Sequence, residues 1–118
     1  MPVTQSLLLA IRENTFRERK LSLTDQNLTA EDMLALVEAL NTNTFIKELD
    51  LSHNAVSTAG AQALAALSHL ESLDLTENNI GPAGAEAFAT SKIQKLDISA
   101  NPIGDAIKVF ATSPFLNE

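Results

Sequence analysis

Cysteine, tryptophan and tyrosine are absent from the 118 residues. Without cysteine there is no disulfide capping, and the composition is compatible with a reducing cytosol. Without tryptophan or tyrosine the chain has no aromatic platform on which sugars or bases could stack, which argues against carbohydrate and nucleic acid as ligands. Positive charge is also scarce: 8 Lys and Arg stand against 15 Asp and Glu, a net charge of −7. Phosphate backbones therefore meet the wrong sign. No segment approaches the roughly 18 to 20 apolar residues of a membrane span. The run Leu7 to Ile11 is too short for a signal-peptide core, lacks a basic start and is followed by Arg12. Low-complexity tracts and linkers are missing as well, so one small domain over residues 1–118 is expected.

What the chain does have is repetition. "LDLSHNAV" at Leu49 returns as "LDLTENNI" at Leu73 and "LDISANPI" at Leu96, with "LSLTDQNL" at Leu21 as a weaker copy. The first leucines are 28, 24 and 23 residues apart, inside the range of about 20 to 29 residues for a repeat of one strand and one helix. Alternating leucines mark each strand. Extending leftward by three adds Ile46, Leu70 and Ile93, so three copies satisfy L-x-x-L-x-L-x-x-N-x-L with aliphatic substitution.

On these residues the chain resembles the ribonuclease-inhibitor-like leucine-rich repeat proteins, which carry a helix in every repeat. Gly60 and Gly84, each four residues after Val56 and Ile80 and followed by Ala61 and Ala85, fit the helical half, with Leu64 and Phe88 four residues further. The resemblance implies an α/β right-handed solenoid, a horseshoe segment with a parallel sheet on its concave face and helices on its convex face. About four repeats are expected over residues 17–111, after an N-terminal capping helix in residues 1–16 and before a cap or tail in residues 112–118. In the first repeat Glu18 replaces an aliphatic, Gln26 an Asn and Asp32 a glycine, as suits an edge that meets water. Ile11 aligns with Leu40 and Phe16 with Phe45, which marks the chain start as a half-repeat helix. Phe110, Phe115 and Leu116 are placed to cover the other end.

Asn54, Asn78 and Asn101 fall where the chain leaves its strand, and backbone groups at that bend lose ladder partners inside the stack. An amide both donates and accepts, so the three are expected to form a ladder that satisfies them. Thr29 with Asp32 three residues later is close to a capping box for the first full helix.

Residues alternating with the core leucines point to the concave surface, with equivalent positions about 4.8 Å apart. Four columns result: Lys20, Glu48, Ser72, Lys95; then Ser22, Asp50, Asp74, Asp97; then Thr24, Ser52, Thr76, Ser99; then Asp25, His53, Glu77, Ala100. The sixteen positions carry six carboxylates and two lysines. Asp and Ser within Asp-x-Ser support each other's hydrogen bonds, but Asp25, Glu48 and Glu77 add charge beyond that vocabulary. "RERK", Arg17 to Lys20, reads as a solvated edge, and His69 as a surface residue.

The expected function is protein binding through this acidic concave face, with Lys20, Ser22, Asp25, Glu48, Asp50, His53, Asp74, Glu77, Lys95 and Asp97 as its contact set. A partner with a basic patch suits it. The resemblance implies one concrete version, a cytosolic protein that inhibits an enzyme by covering its active site. Small, self-capped members also occur among effectors that intracellular bacteria deliver into host cells, a second implication of the resemblance. Alternatives are a structural or oligomerising scaffold, and a metal-binding or enzymatic site at Asp25, His53 and Glu77. An open sheet exposes such residues to water and no nucleophile accompanies them, so the expectation is a non-enzymatic monomer with no cofactor and no metal.

Overall fold

A computed structural model describes residues 5–103. The C-terminal cover expected from Phe110, Phe115 and Leu116 lies outside the described residues. Period-two leucines make strands too short to stand alone: β1 Lys20–Ser22, β2 Glu48–Asp50, β3 Ser72–Asp74 and β4 Lys95–Asp97. They pair in parallel in the order β1-β2-β3-β4. Leu21, Leu49, Leu73 and Leu96 are mutual register partners and are all buried. The alternating burial within each strand leaves one face of the sheet open and packs the other.

Helices α1 Gln5–Arg12, α2 Ala30–Leu40, α3 Ser57–Ala65 and α4 Pro82–Ala87 alternate with the strands, α4 running on as a 3-10 turn over Phe88–Thr90. Each packs on the next in chain order. Thr29 caps α2 in a full capping box: its backbone N–H donates to Asp32 Oδ2 at 2.9 Å, and its hydroxyl accepts from the Asp32 N–H at 3.4 Å. Pro82 occupies the first turn of α4, where a missing N–H costs nothing.

The core is layered rather than central. Ile46, Leu70 and Ile93 form one buried row, Leu23, Leu51, Leu75 and Ile98 a second, and Leu28, Val56 and Ile80 a third, closed by Met33, Leu36, Leu40, Leu64 and Phe88 from the helices. Small residues bring the helices together. A Cβ on Gly84 would lie 3.2 Å from both Ala61 Cβ and Thr58 Cα of α3.

The asparagine ladder is present, and each rung reaches back one turn. Asn54 Oδ1 accepts from the N–H groups of Gln26 and Leu28 at 2.9 and 3.0 Å, while Nδ2 donates to the carbonyls of Leu23, Leu51 and Ser52. Asn78 accepts from Val56 N–H and donates to Leu51 and Thr76. Asn101 accepts from Asn78 and Ile80 and donates to Leu75, Ile98 and Ser99. Among the described residues Gln26 makes no such rung; its own N–H is served by the repeat that follows.

At the N-terminal end, Ile11 is buried beside the α2 layer, as its alignment with Leu40 requires. A fourth asparagine, absent from the repeat pattern, does the joining. Asn43 is 1 % exposed; its Nδ2 donates to the carbonyls of Ile11 and Phe16, and its Oδ1 accepts from Phe45 and Ile46 N–H. Asn14 and Thr44 exchange hydrogen bonds across the same seam.

Candidate functional site

The open face of the sheet places the expected columns in register. Lys20, Glu48, Ser72 and Lys95 are successive partners, and so are Ser22, Asp50, Asp74 and Asp97. The backbone ladder continues past the strands, with Leu23 N–H donating to Asp50, His53 N–H to Thr76 and Glu77 N–H to Ser99. This extension carries the register into the loops.

The hydroxyl column behaves differently from a surface row. Ser52 is buried, at 8 % exposure. Its hydroxyl and N–H both donate to Asp50 Oδ1, at 2.7 and 3.0 Å, and Thr76 does the same to Asp74, as Ser99 does to Asp97. The hydroxyls therefore serve the carboxylates more than any ligand. Each aspartate is gripped through one oxygen, which fixes how the side chain stands. The Ser99 hydroxyl, then its N–H, hold the Asp97 carboxyl below its ordinary pKa of 3.8 against a smaller opposing effect of burial. Where Ser22 replaces the aspartate, Thr24 pairs with the Ser52 hydroxyl at 2.8 Å instead.

The fourth column shares a backbone state. Asp25, His53, Glu77 and Ala100 are exposed and all left-handed, with φ of 56°, 58°, 55° and 59°. Asp and His tolerate that region better than most residues; Glu and Ala carry its steric cost. The triad Asp25, His53 and Glu77, weighed from sequence as a metal-binding or enzymatic site, is not assembled. His53 Nδ1 lies 3.5 Å from Glu77 Oε1, both side chains half exposed, and among the described residues no three His, Cys, Asp or Glu side chains gather to hold a metal ion. The three side chains leave successive left-handed bends into water, and only His53 and Glu77 approach each other.

Charge on this face divides along the strands. Asp25, Asp50, Asp74, Glu77 and Asp97 occupy the C-terminal ends, where His53 is the nearest approach to a cation. The N-terminal ends are mixed, because Arg19 is not merely a solvated edge. Its Nε lies 3.1 Å from Glu48 Oε2 and its Nη2 lies 2.5 Å from Glu71 Oε1, so one guanidinium ties three repeats together. The hydrogen bond to Glu71, then that to Glu48, raises the already high pKa of Arg19. Glu48 thus arrives at the face partnered. Extending the register one residue leftward, to positions 19, 47, 71 and 94, is the signal that finds this bridge. The group surrounds a depression of about 230 Å³ lined also by Ser72, Gln94 and Lys95.

His69, expected at the surface, is half-buried, and its Nε2 has no hydrogen-bond partner among the described residues. Burial, then the charge of Lys47, lowers its pKa from 6.5, with the Leu40 carbonyl pulling weakly the other way. It lies off the open face, in the turn between α3 and β3.

No helix among the described residues is long and apolar enough to cross a membrane. No curated protein sequence matches the chain. A family model, described as leucine rich repeat, matches residues 44–103. That span is just over half of the chain and holds the three complete copies of the motif. With its parallel sheet, its layered core and this match, the chain belongs to the leucine-rich repeat family, whose domains are generally protein–protein interaction modules.

Proposed function

We propose that the open sheet face binds a partner protein carrying a basic surface patch, and that the chain acts by covering that patch. The observation that carries this reading is the row Asp50, Asp74 and Asp97: in register, oriented by hydroxyls, flanked by Asp25 and Glu77, and without an arginine or lysine ion pair among the described residues. Like charges held this close are costly to a free sheet, and a basic partner converts the cost into attraction and faster encounter. Lys20, Ser22, Glu48, His53 and Lys95 complete the contact set. Blocking an enzyme by covering its active site is the version implied by the resemblance to ribonuclease inhibitor. A cytosolic location, in its own cell or a host's, and a monomeric free state belong to the same reading.

Affinity capture with three proteins tests it: wild type, the triple variant Asp50→Asn, Asp74→Asn, Asp97→Asn, and a variant with Glu31, Glu38 and Glu86 on the helical side changed to Gln. The expected result is a protein retained by wild type and by the helical-side variant, and weakened at least a hundredfold by the aspartate variant, since three desolvated charge pairs at about 1.5 kcal/mol each are lost. Equal retention by the two triple variants would falsify the reading.

A further inference from the structure

Every lysine and arginine among the described residues lies on one edge of the molecule. Arg12 ends α1; Arg17, Arg19 and Lys20 lead into β1; Lys47 precedes β2; Lys92 and Lys95 lead into β4. The strands are parallel and a helix returns between each pair, so helix ends and strand starts share this edge. The opposite edge, where strands end and helices begin, holds carboxylates and His53 but no lysine or arginine among the described residues. Helix dipoles explain little of this, because α1 alone has a basic residue in its last turn. Ion pairing explains little more. Arg19 takes up Glu48 and Glu71, and the other six cations have no ion pair among the described residues. Against them stand Glu13 and Glu18 in the same turns and Glu38 in the last turn of α2, which leaves a surplus of three positive charges.

Two neighbours register that surplus. The Arg17 guanidinium, with no carboxylate beside it, lies over the Phe45 ring, 5.3 Å from its centroid. Lys47 acts on His69, its charge adding to burial in lowering the pKa of the imidazole. Apolar groups accompany the cations. Leu9, in the last turn of α1, is 49 % exposed, and Phe16 and Phe45 are half-buried on either side of Arg17 in the sequence. We infer that this edge docks on an anionic phospholipid bilayer, with the strand N-terminal ends toward the headgroups. The cations run from the first repeat to the last and converge on no single point, which suits an extended surface and not a small anion. A headgroup layer takes lysine and arginine together with leucine and phenylalanine, whereas an acidic protein surface meets the charges and sets Leu9 against carboxylates. The aspartates of the opposite edge are repelled by the same bilayer, so the chain has one way to approach. Docked in that way, its open sheet face stays clear. The bilayer contact is independent of the open-face reading, and either can fail alone.

Co-sedimentation with vesicles of phosphatidylcholine alone, and of phosphatidylcholine mixed with phosphatidylserine, tests it at low and at physiological salt. Three proteins are compared: wild type, the variant Arg17→Gln, Lys47→Gln, Lys92→Gln, and the variant Asp50→Asn, Asp74→Asn, Asp97→Asn. Wild type is expected on the phosphatidylserine vesicles and not on phosphatidylcholine alone, less so as salt rises. The glutamine variant is expected to bind about a hundredfold more weakly, because each basic residue at an anionic surface contributes about fivefold, and the asparagine variant at least as tightly as wild type. Amide broadening of wild type on phosphatidylserine nanodiscs, expected at Arg17, Lys47 and Lys92, reads the same edge without any substitution. Equal sedimentation with the two vesicles, or a folded glutamine variant that binds as wild type does, would overturn the proposal. So would a wild type that ignores both vesicles and binds a polyglutamate peptide through the same three residues, since the edge would then be a protein contact.

Discussion

Asn78 is fully buried, and its one amide serves backbone groups on two turns: Val56 N–H and the Leu51 carbonyl behind it, and the Thr76 carbonyl of its own strand end. Replacing it with leucine keeps the bulk and abandons those groups where water cannot reach them. Asn78→Leu is expected to lose about 2 to 4 kcal/mol in urea unfolding, and Asn101→Leu less, because Asn101 is half-buried and water can replace its bonds. A second residue-scale consequence concerns acid. His69 has a lowered pKa in the folded state, so the folded protein binds this proton less readily than the unfolded chain. Its contribution to stability is present above the unfolded pKa of about 6.5 and is lost as pH falls through the lower folded value. Unfolding followed from pH 7.5 to 5 should show that decline in wild type and a flatter profile in His69→Leu. Asp97, with its depressed pKa, adds its own loss only at pH below about 3.8.

At the scale of elements, the helices are held by what they lack. A Cβ on either glycine would crowd a β-branched side chain of its own repeat, Ile80 Cγ2 at 2.7 Å for Gly84 and Val56 Cγ1 at 2.6 Å for Gly60. Beyond that, Gly84 meets Ala61 Cβ and Thr58 Cα at 3.2 Å, neighbours that cannot swing away, whereas Gly60 meets the flexible Met33 side chain at 3.0 Å and backbone only at 3.4 Å. Gly84→Ala gains helix propensity of about 1 kcal/mol, yet overpacking of about 1 to 3 kcal/mol outweighs it. Thermal unfolding should therefore rank Gly84→Ala below wild type and below Gly60→Ala. The positions of these elements were legible because two periods coincide: leucines every second residue give the strand, and the return of the whole pattern gives the register, so Lys20 to Lys95 and Ser22 to Asp97 fall into columns without any fold being assumed. The roles of side chains within a column were less legible. Ser52 and Thr76 alternate like face residues but turn back to their aspartates, since an Asp two residues earlier offers an acceptor closer than water. Arg19 and Asn43 escape the repeat pattern because they act between repeats, at positions where the consensus prescribes nothing.

Across the whole molecule, each helix packs on the helix of the next repeat and each strand on the strand of the next repeat, and stability is passed along as a chain of interfaces. The same stacking that satisfies the core lines up the charges, so the open face inherits one row of aspartates from one letter of the repeat. Arg19 balances the strand N-terminal edge, and the C-terminal edge is left acidic. Binding through that edge is the central claim, and amide NMR of the isotope-labelled chain titrated with its captured natural partner measures it directly. Shifts and line broadening are expected to concentrate at Asp50, Ser52, His53, Asp74, Thr76, Glu77 and Asp97, fading as salt is raised. A footprint centred on α2, α3 and α4, with the strand residues undisturbed, would contradict the account.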